Sequence, residues 1–363
     1  MRFGVLLPPK MNEWRVALNA EKLGYDSLWI PDSQMIWSDC YAMLALVAEH
    51  TERIKIGTGV AIAGTRIAPV TAHSIASINE LAPGRVFLGL GTGHTAMRVM
   101  GMDPMKLGQF RDYIRVVRAL LDGSEVEYTL NGRTQIIDFL HKDMGFFNLQ
   151  DRIPIYIAAN GPLALQTVGE MGDGLMSVFN EQPAILAQNL ELVQQGAARA
   201  SRNLPRDFPV ATITAVIPLD EDEALTSDRV VDEAGPWAVA TLHLIWELFM
   251  KTGSESVVPP AFHGVFEDYC KYVARMETPK EKRYLQLHNG HGTFIVDDER
   301  RFMTTEVLEA SCLIGRPRDL IDKLRRAEES GLNEVTIVPP TAAAEKVMCE
   351  FADQVMDQYG RKH

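Results

Sequence analysis

Cysteine is scarce and unpatterned in this chain. The 363 residues hold four, Cys40, Cys270, Cys312 and Cys349, with no Cys-x-x-Cys pair and no regular spacing. That argues against a disulfide framework and a thiolate metal site and fits a reducing, cytoplasmic compartment. Long apolar runs are missing too. No stretch approaches the ~18 consecutive apolar residues of a membrane-spanning helix, and the opening run from Met1 to Leu7 is too short for a signal peptide and breaks at Pro8 and Pro9. The third shortage is positive charge. Lys and Arg number 36 against 48 Asp and Glu, a net charge of −12. Without a basic cluster the chain lacks what a phosphate backbone requires of its partner. Neither nucleic acid nor membrane is expected as a partner, and the negative charge reads as solubility.

What is present is alternation. Short β-branched or aromatic runs end at turn residues and are followed by helical-period stretches, which is βα order. The pattern predicts strands over 3–7, 27–31, 54–60, 85–90, 154–158, 174–178, 209–217 and 334–338. Helices are expected to stop at Gly24, Gly172 and Gly331, each before a strand, where glycine supplies the left-handed turn. Eight such units with near-continuous apolar strands predict an α/β fold of the (β/α)8 TIM-barrel type, one barrel domain spanning residues 1–363. Two stretches exceed a βα connection and are expected as insertions at the carboxyl-terminal face, at about 123–151 and 219–316. The first carries Asn131-Gly132, a hairpin signal.

Gly91-Thr92-Gly93-His94-Thr95-Ala96 follows an apolar run and matches the dinucleotide-binding fingerprint G-x-G-x-x-G/A. Its context argues against that reading: it falls in the fourth unit rather than the first, and Gly101, Asp103 and Pro104 interrupt the following helix within about two turns. Close passage of the chain at a barrel rim is the competing explanation for Gly89 and Gly91.

The same region carries a family resemblance. The segment from Leu81 to Gly93, LAPGRVFLGLGTG, resembles the fourth-strand region of luciferase-like oxidoreductases, and its Gly-Thr-Gly ending is most similar to the deazaflavin-dependent members. Tyr25 to Asp32, Ile56 to Val60 and Ile155 to Pro162 agree in order, and the resemblance covers Arg2 to about Val178 and resumes from Gly315 to Pro339. It implies an oxidoreductase that moves hydride between reduced 8-hydroxy-5-deazaflavin (coenzyme F420) and a small organic substrate. An FMN-dependent monooxygenase is the alternative, although the Asn-Val-Val-Thr pattern of FMN-using members is absent. A barrel that binds a flavin-like ring without turnover is a third reading. Members of this family imply a homodimer, for which the apolar helices after the second and third strands would serve.

In a parallel barrel the residues just past the strand ends converge on one face. Those positions here are Asp32, Thr58 to Val60, Thr92 to His94, Ala159 to Pro162 and Val178 to Asn180. Asp32, Thr58, Gly59, Val60, Thr92, Gly93, Ala159, Asn160, Gly161, Pro162 and Val178 are therefore the expected cofactor contacts, although Asp32 suits a helix cap equally well. Asn160-Gly161-Pro162 opens a helix and offers free N–H groups to a phosphate; the resemblance assigns this loop to the phosphate of the cofactor tail and places a non-proline cis peptide at Gly59-Val60. His94 stands where glucose-6-phosphate-oxidising members resemble one another in carrying Glu, which argues against that substrate but keeps a proton-handling group. His288 and His291 in the long insertion are expected to be catalytic through substrate contact. No further ligand is apparent beside them, so no metal site is expected.

Overall fold

The computed structural model describes residues 1–179 and 182–360. Asn180 lies outside these. Eight parallel strands close into a barrel in chain order: β1 (Arg2–Leu6), β2 (Ser27–Ile30), β3 (Lys55–Ile62), β4 (Val86–Gly91), β5 (Ile155–Ala158), β6 (Gly174–Val178), β7 (Val210–Thr214) and β8 (Glu334–Ile337). β8 returns to β1 with Phe3 opposite Val335, which completes the ring.

Alternation along each strand builds two layers of core. Leu28, Ile30, Ile56, Leu88 and Leu90 face the surrounding helices and are fully or almost fully buried there. Their neighbours Trp29, Phe87, Tyr156 and Met176 belong to a separate cluster that fills the barrel interior. The Trp29 ring sits 4.2 Å from Phe87 and 5.2 Å from Tyr156, centroid to centroid. Its Nε1–H donates to Glu334 Oε1 at 2.9 Å, so the one polar atom of the indole is satisfied inside the core.

Two of the three expected helix stops take the left-handed conformation, Gly24 at φ +85° and Gly331 at φ +104°. The third does not. Gly172 is extended at φ −85°, and its requirement is space: a Cβ there would lie 2.9 Å from the Val168 carbonyl oxygen. The run expected as one strand over 209–217 also divides. It leaves the barrel wall after Thr214, and Val216–Pro218 pairs instead with Leu313–Gly315 as a two-stranded parallel sheet.

That small sheet is the neck of the long insertion, which surrounds a hydrophobic cluster of its own, with Val230, Leu242, Phe262, Tyr269 and Val307 among its buried residues. Its main element is the helix Asp228–Thr252, started by the Ser227 hydroxyl accepting from Val230 N–H and ended by Gly253 at φ +66°. The shorter insertion holds the hairpin Val126–Leu130/Arg133–Ile137, with both turn residues at positive φ, Asn131 at +51° and Gly132 at +77°. Among the described residues no helix is long and apolar enough to cross a membrane.

Candidate active site

The carboxyl ends of β3 and β4 approach too closely for side chains at their glycines. A Cβ on Gly59 would stand 2.7 Å from Trp29 Cβ, one on Gly89 2.3 Å from the Thr58 carbonyl, and one on Gly91 2.7 Å from Val60 Cγ2. Thr58 is buried and donates its hydroxyl to the Gly89 carbonyl at 2.7 Å, tying the two strands. The pairing register shifts between Thr58 and Ala61, and the Gly59-Val60 peptide between them is cis. Past β4, Gly93 at φ +82° has no room for a Cβ beside Ile62, while Thr92 and His94 remain partly exposed. Close packing therefore accounts for the glycines of the G-x-G segment, and the helix that follows, His94–Arg98, has only five residues.

Asp32 is buried at the end of β2 and is committed to protein partners. Its carboxylate pairs with Arg66, accepts from the Gln34 amide and lies 3.4 Å from Ile62 N–H. Burial raises its pKa despite Arg66. It is not a helix cap; Asp39 caps the next helix, Cys40–His50, by accepting from Ala42 N–H at 2.9 Å.

Across the barrel, Ala159 is buried while Asn160, Gly161 and Pro162 are exposed. The Asn160 side chain accepts from Val178 N–H at 3.1 Å, which joins the ends of β5 and β6. Helix Pro162–Met171 then begins at Gly161 without any side-chain cap, leaving its first-turn N–H groups open to an anion. Gly161 is not in the left-handed region, and a Cβ there would meet nothing within 4 Å. Neither backbone conformation nor protein packing demands glycine at that position.

A charge contact joins His94 to the insertion. His94 Nε2 lies 3.0 Å from Glu247 Oε2, and the other oxygen of Glu247 lies 3.1 Å from His288 Nε2 and 3.7 Å from Arg98 Nε. Burial pushes His94 below the usual histidine range, opposed by the Glu247 charge. Burial alone would raise Glu247, but the His288 hydrogen bond and the charges of His94, His288 and Arg98 hold its carboxyl below the ordinary value.

His288 and His291 lie where the glycine turn places them, Gly290 at φ +81° and Gly292 at φ +60°. Together with Trp37, Val99 and Thr341 they line a cavity of about 660 Å³ beyond the ends of β1, β2, β4 and β8. Trp37 donates its Nε1–H to Thr293 Oγ1 at 3.0 Å, a second link between a strand-end loop and the insertion. The expected cofactor contacts do not line this cavity.

The sequence reading missed two partners. Glu247 was one, and the other was His243, whose ring centroid lies 5.7 Å from that of His288. A third histidine therefore stands beside His288 and His291, correcting the expectation that no further ligand was present. Both residues lie on helix Asp228–Thr252 at i and i+4; two polar side chains at that spacing on an apolar helix face were the available signal.

A closed barrel with polar side chains gathered at its carboxyl face is the architecture of a (β/α)8 enzyme. The luciferase-like monooxygenase family model matches residues 1–334, and the chain belongs to that family. It is 28% identical to a 5,10-methylenetetrahydromethanopterin reductase of Archaeoglobus fulgidus over 352 residues, 95% of this chain and 96% of that protein. It is 30% identical to an F420-dependent glucose-6-phosphate dehydrogenase of Beutenbergia cavernae over 51% of this chain and 58% of that protein. Among solved structures, the coenzyme F420 dependent tetrahydromethanopterin reductase of Methanopyrus kandleri superposes with a TM-score of 0.67, covering 99% of each chain at 22% identity. An F420-dependent secondary alcohol dehydrogenase in complex with an F420-acetone adduct gives 0.64 at 18% identity, again over 99% of each chain.

Proposed function

We propose that the protein is an oxidoreductase that moves hydride between 8-hydroxy-5-deazaflavin, coenzyme F420, and a small organic substrate. The observation that carries this reading is the His94–Glu247 pair at the end of β4, a proton-handling group in a family whose matched relatives include F420-dependent enzymes. The residues present fit such a cofactor: the uncapped helix start at Gly161, with open space where a Cβ would stand, suits a phosphate that must approach backbone N–H groups.

Bound there, the cofactor supplies the ring carbon that gives or takes hydride. Asn160 and Gly161 would hold its phosphate, and Val60, Thr92 and Gly93 would lie beside its ring. Asp32 acts through Arg66, fixing the loop after β3 rather than touching the cofactor. His94 Nε2 lies 3.0 Å from Glu247 Oε2 without hydrogen-bond geometry, so the carboxylate acts on the imidazole through its charge. His94 accepts or returns the proton that accompanies hydride, and Glu247 stabilises the imidazolium in between. The insertion carrying Glu247, His288 and His291 serves as the substrate lid and keeps water from the reacting atoms.

The enzyme works in the cytoplasm, which its four free thiols suit, and as a homodimer through the helix after β3, which leaves Ile67, Val70 and Leu81 exposed at its edge. Titration of cofactor-free protein with coenzyme F420 and with FMN, followed by fluorescence, tests the cofactor. Reduced coenzyme F420 is then presented with substrates of the relatives, among them methylenetetrahydromethanopterin and ketones. Tighter FMN binding with oxygen consumption would replace this reading by the monooxygenase, and binding without any turnover would leave a flavin-binding protein.

A further inference from the structure

We infer that His243, His288 and His291 form a binding site for a divalent transition-metal ion of the zinc class, with the cavity at the barrel mouth as its entrance. One ring nitrogen from each of the three lies within 4.8 Å of one from each of the others, and the candidate site is empty. All three Nδ1 atoms are buried without a hydrogen-bond partner among the described residues. Each of the three neighbouring rings thus keeps one buried nitrogen that calls for a partner.

The outer contacts show which nitrogens are available. His243 Nε2 lies 3.0 Å from Glu299 Oε1, and His288 Nε2 lies 3.1 Å from Glu247 Oε1. A carboxylate on Nε2 fixes the proton there and leaves the Nδ1 lone pair for a ligand. Backing of an imidazole by a carboxylate is the usual outer support of a metal-bound histidine, since it fixes ring orientation and raises basicity. Here two of the three rings have it. Tyr269 reaches Glu299 at 3.5 Å, so the outer shell is itself anchored in the insertion core.

The donor set selects the ion. Three imidazoles with no thiolate and no carboxylate among the inner ligands suit zinc, cobalt, nickel or copper and are poor for magnesium or calcium. Three protein ligands also leave a tetrahedral ion one open position, unlike the four-ligand structural zinc sites. His288 and His291 line the cavity and His243 does not, so ion and exchangeable water have a route in from that side. Metal–nitrogen bonds of ~2.1 Å place tetrahedral ligands about 3.4 Å apart; ligand atoms within 4.8 Å of one another therefore draw together by up to about 1.4 Å on loading, with His291, set between Gly290 and Gly292, having the least side-chain crowding from its chain neighbours. Metal binding is measured without the cofactor and so does not depend on it.

Tag-free protein, stripped by a chelator, is titrated with Co²⁺ and then with Zn²⁺ while visible absorption is followed. The expected result is one Co²⁺ per chain with the ligand-field bands of a four- or five-coordinate ion, abolished by an equivalent of Zn²⁺, together with a raised thermal unfolding midpoint. His291→Ala and His243→Gln should each weaken binding at least 100-fold. Glu299→Gln should weaken it 10- to 100-fold, as expected for an outer partner. His263→Ala, whose ring meets the Val258 carbonyl in the same insertion, should bind as the parent does. Circular dichroism on each variant separates lost metal from lost fold, and the partly exposed His291 is the substitution least costly to folding. Absence of cobalt bands at stoichiometric metal, or stoichiometric binding that survives both His291→Ala and His243→Gln, would overturn the inference; the trio would then hold water alone.

Discussion

His94 Nε2 stands 3.0 Å from Glu247 Oε2, across the boundary between the fourth barrel strand and the long insertion. The barrel alone supplies a half-buried histidine whose pKa burial depresses, and the insertion supplies the charge that opposes the depression. The pairing therefore sets the pH range in which His94 is a neutral base. Removing the carboxylate while keeping a hydrogen-bond acceptor should lower the His94 pKa further. For Glu247→Gln we expect the acid limb of the kcat/KM profile to move to lower pH, with turnover at pH 8 reduced about 10-fold because the imidazolium loses its counter-charge. A limb that stays in place, or moves upward, would show that His94 does not govern it.

The helix start at Gly161 gives a second expectation. Val at this position meets no protein atom, since a Cβ there has nothing within 4 Å, and the φ of −101° is open to any residue. Gly161→Val should keep the parent's thermal unfolding midpoint within about 1–2 °C, as expected of a surface change of roughly 0.5 kcal/mol. It should weaken coenzyme F420 binding at least about 10-fold, a loss of ~1.4 kcal/mol, because the branched side chain occupies the approach to the N–H groups. Calorimetric titration of both proteins decides this. Equal affinity would move the phosphate elsewhere.

The neck of the insertion carries an acid-sensitive pair. A hydrogen bond from Arg229 holds the Glu223 carboxyl down to about 2, with help from the Ser227 hydroxyl and Asp220 N–H. Its folded pKa is depressed, so the stabilisation is fully present above about 4.5, the ordinary glutamate value, and fades as pH falls toward 2. Because the pair is within reach of solvent, Glu223→Gln should cost only about 1 kcal/mol at pH 7. Urea unfolding at stepped pH should show the two proteins converging near pH 2. A constant gap down to that pH would locate the stabilisation in packing instead.

The barrel was legible in the sequence because each strand advertises itself twice, in an apolar run and in the turn residue after it. Gly24 and Gly331 were legible for the same reason: a left-handed stop has a chemical signature. Gly172 was not, because its need for a missing Cβ comes from Val168 and Ile157, which become neighbours only when the helix folds back on its strand. The candidate site divides along the same line. Asn160, Gly161 and His94 follow strands directly and could be placed by position. Glu247 and His243 reach the site from an insertion helix with its own core, and no local pattern states which face of that helix meets β4. Asp32 was correctly placed at a strand end, but its partner Arg66 lies beyond the next strand, and only the fold shows the carboxylate already engaged.

The decisive prediction concerns His94 itself. It opens the short helix after β4, is one-third exposed, and holds Nε2 3.0 Å from Glu247 Oε2. For His94→Ala we expect turnover to fall about 10²- to 10⁴-fold, the usual worth of a positioned acid or base. Cofactor affinity should change less than about 3-fold, because the proposed phosphate seat at Gly161 belongs to a different strand end and the energetic link between separated sites is small. A histidine that serves only to tie the insertion to β4 behaves otherwise. Its loss would cost at most about 1 kcal/mol of stability for one partly exposed ion pair, with turnover nearly intact. His94→Gln divides the two cases further, since glutamine keeps a polar donor facing Glu247 but cannot carry a proton at neutral pH. Rate, pH profile and thermal unfolding measured together on the parent and both variants give the answer. A Gln variant that restores stability while remaining as slow as the Ala variant supports proton transfer, and one that recovers the parental rate would make His94 a tether.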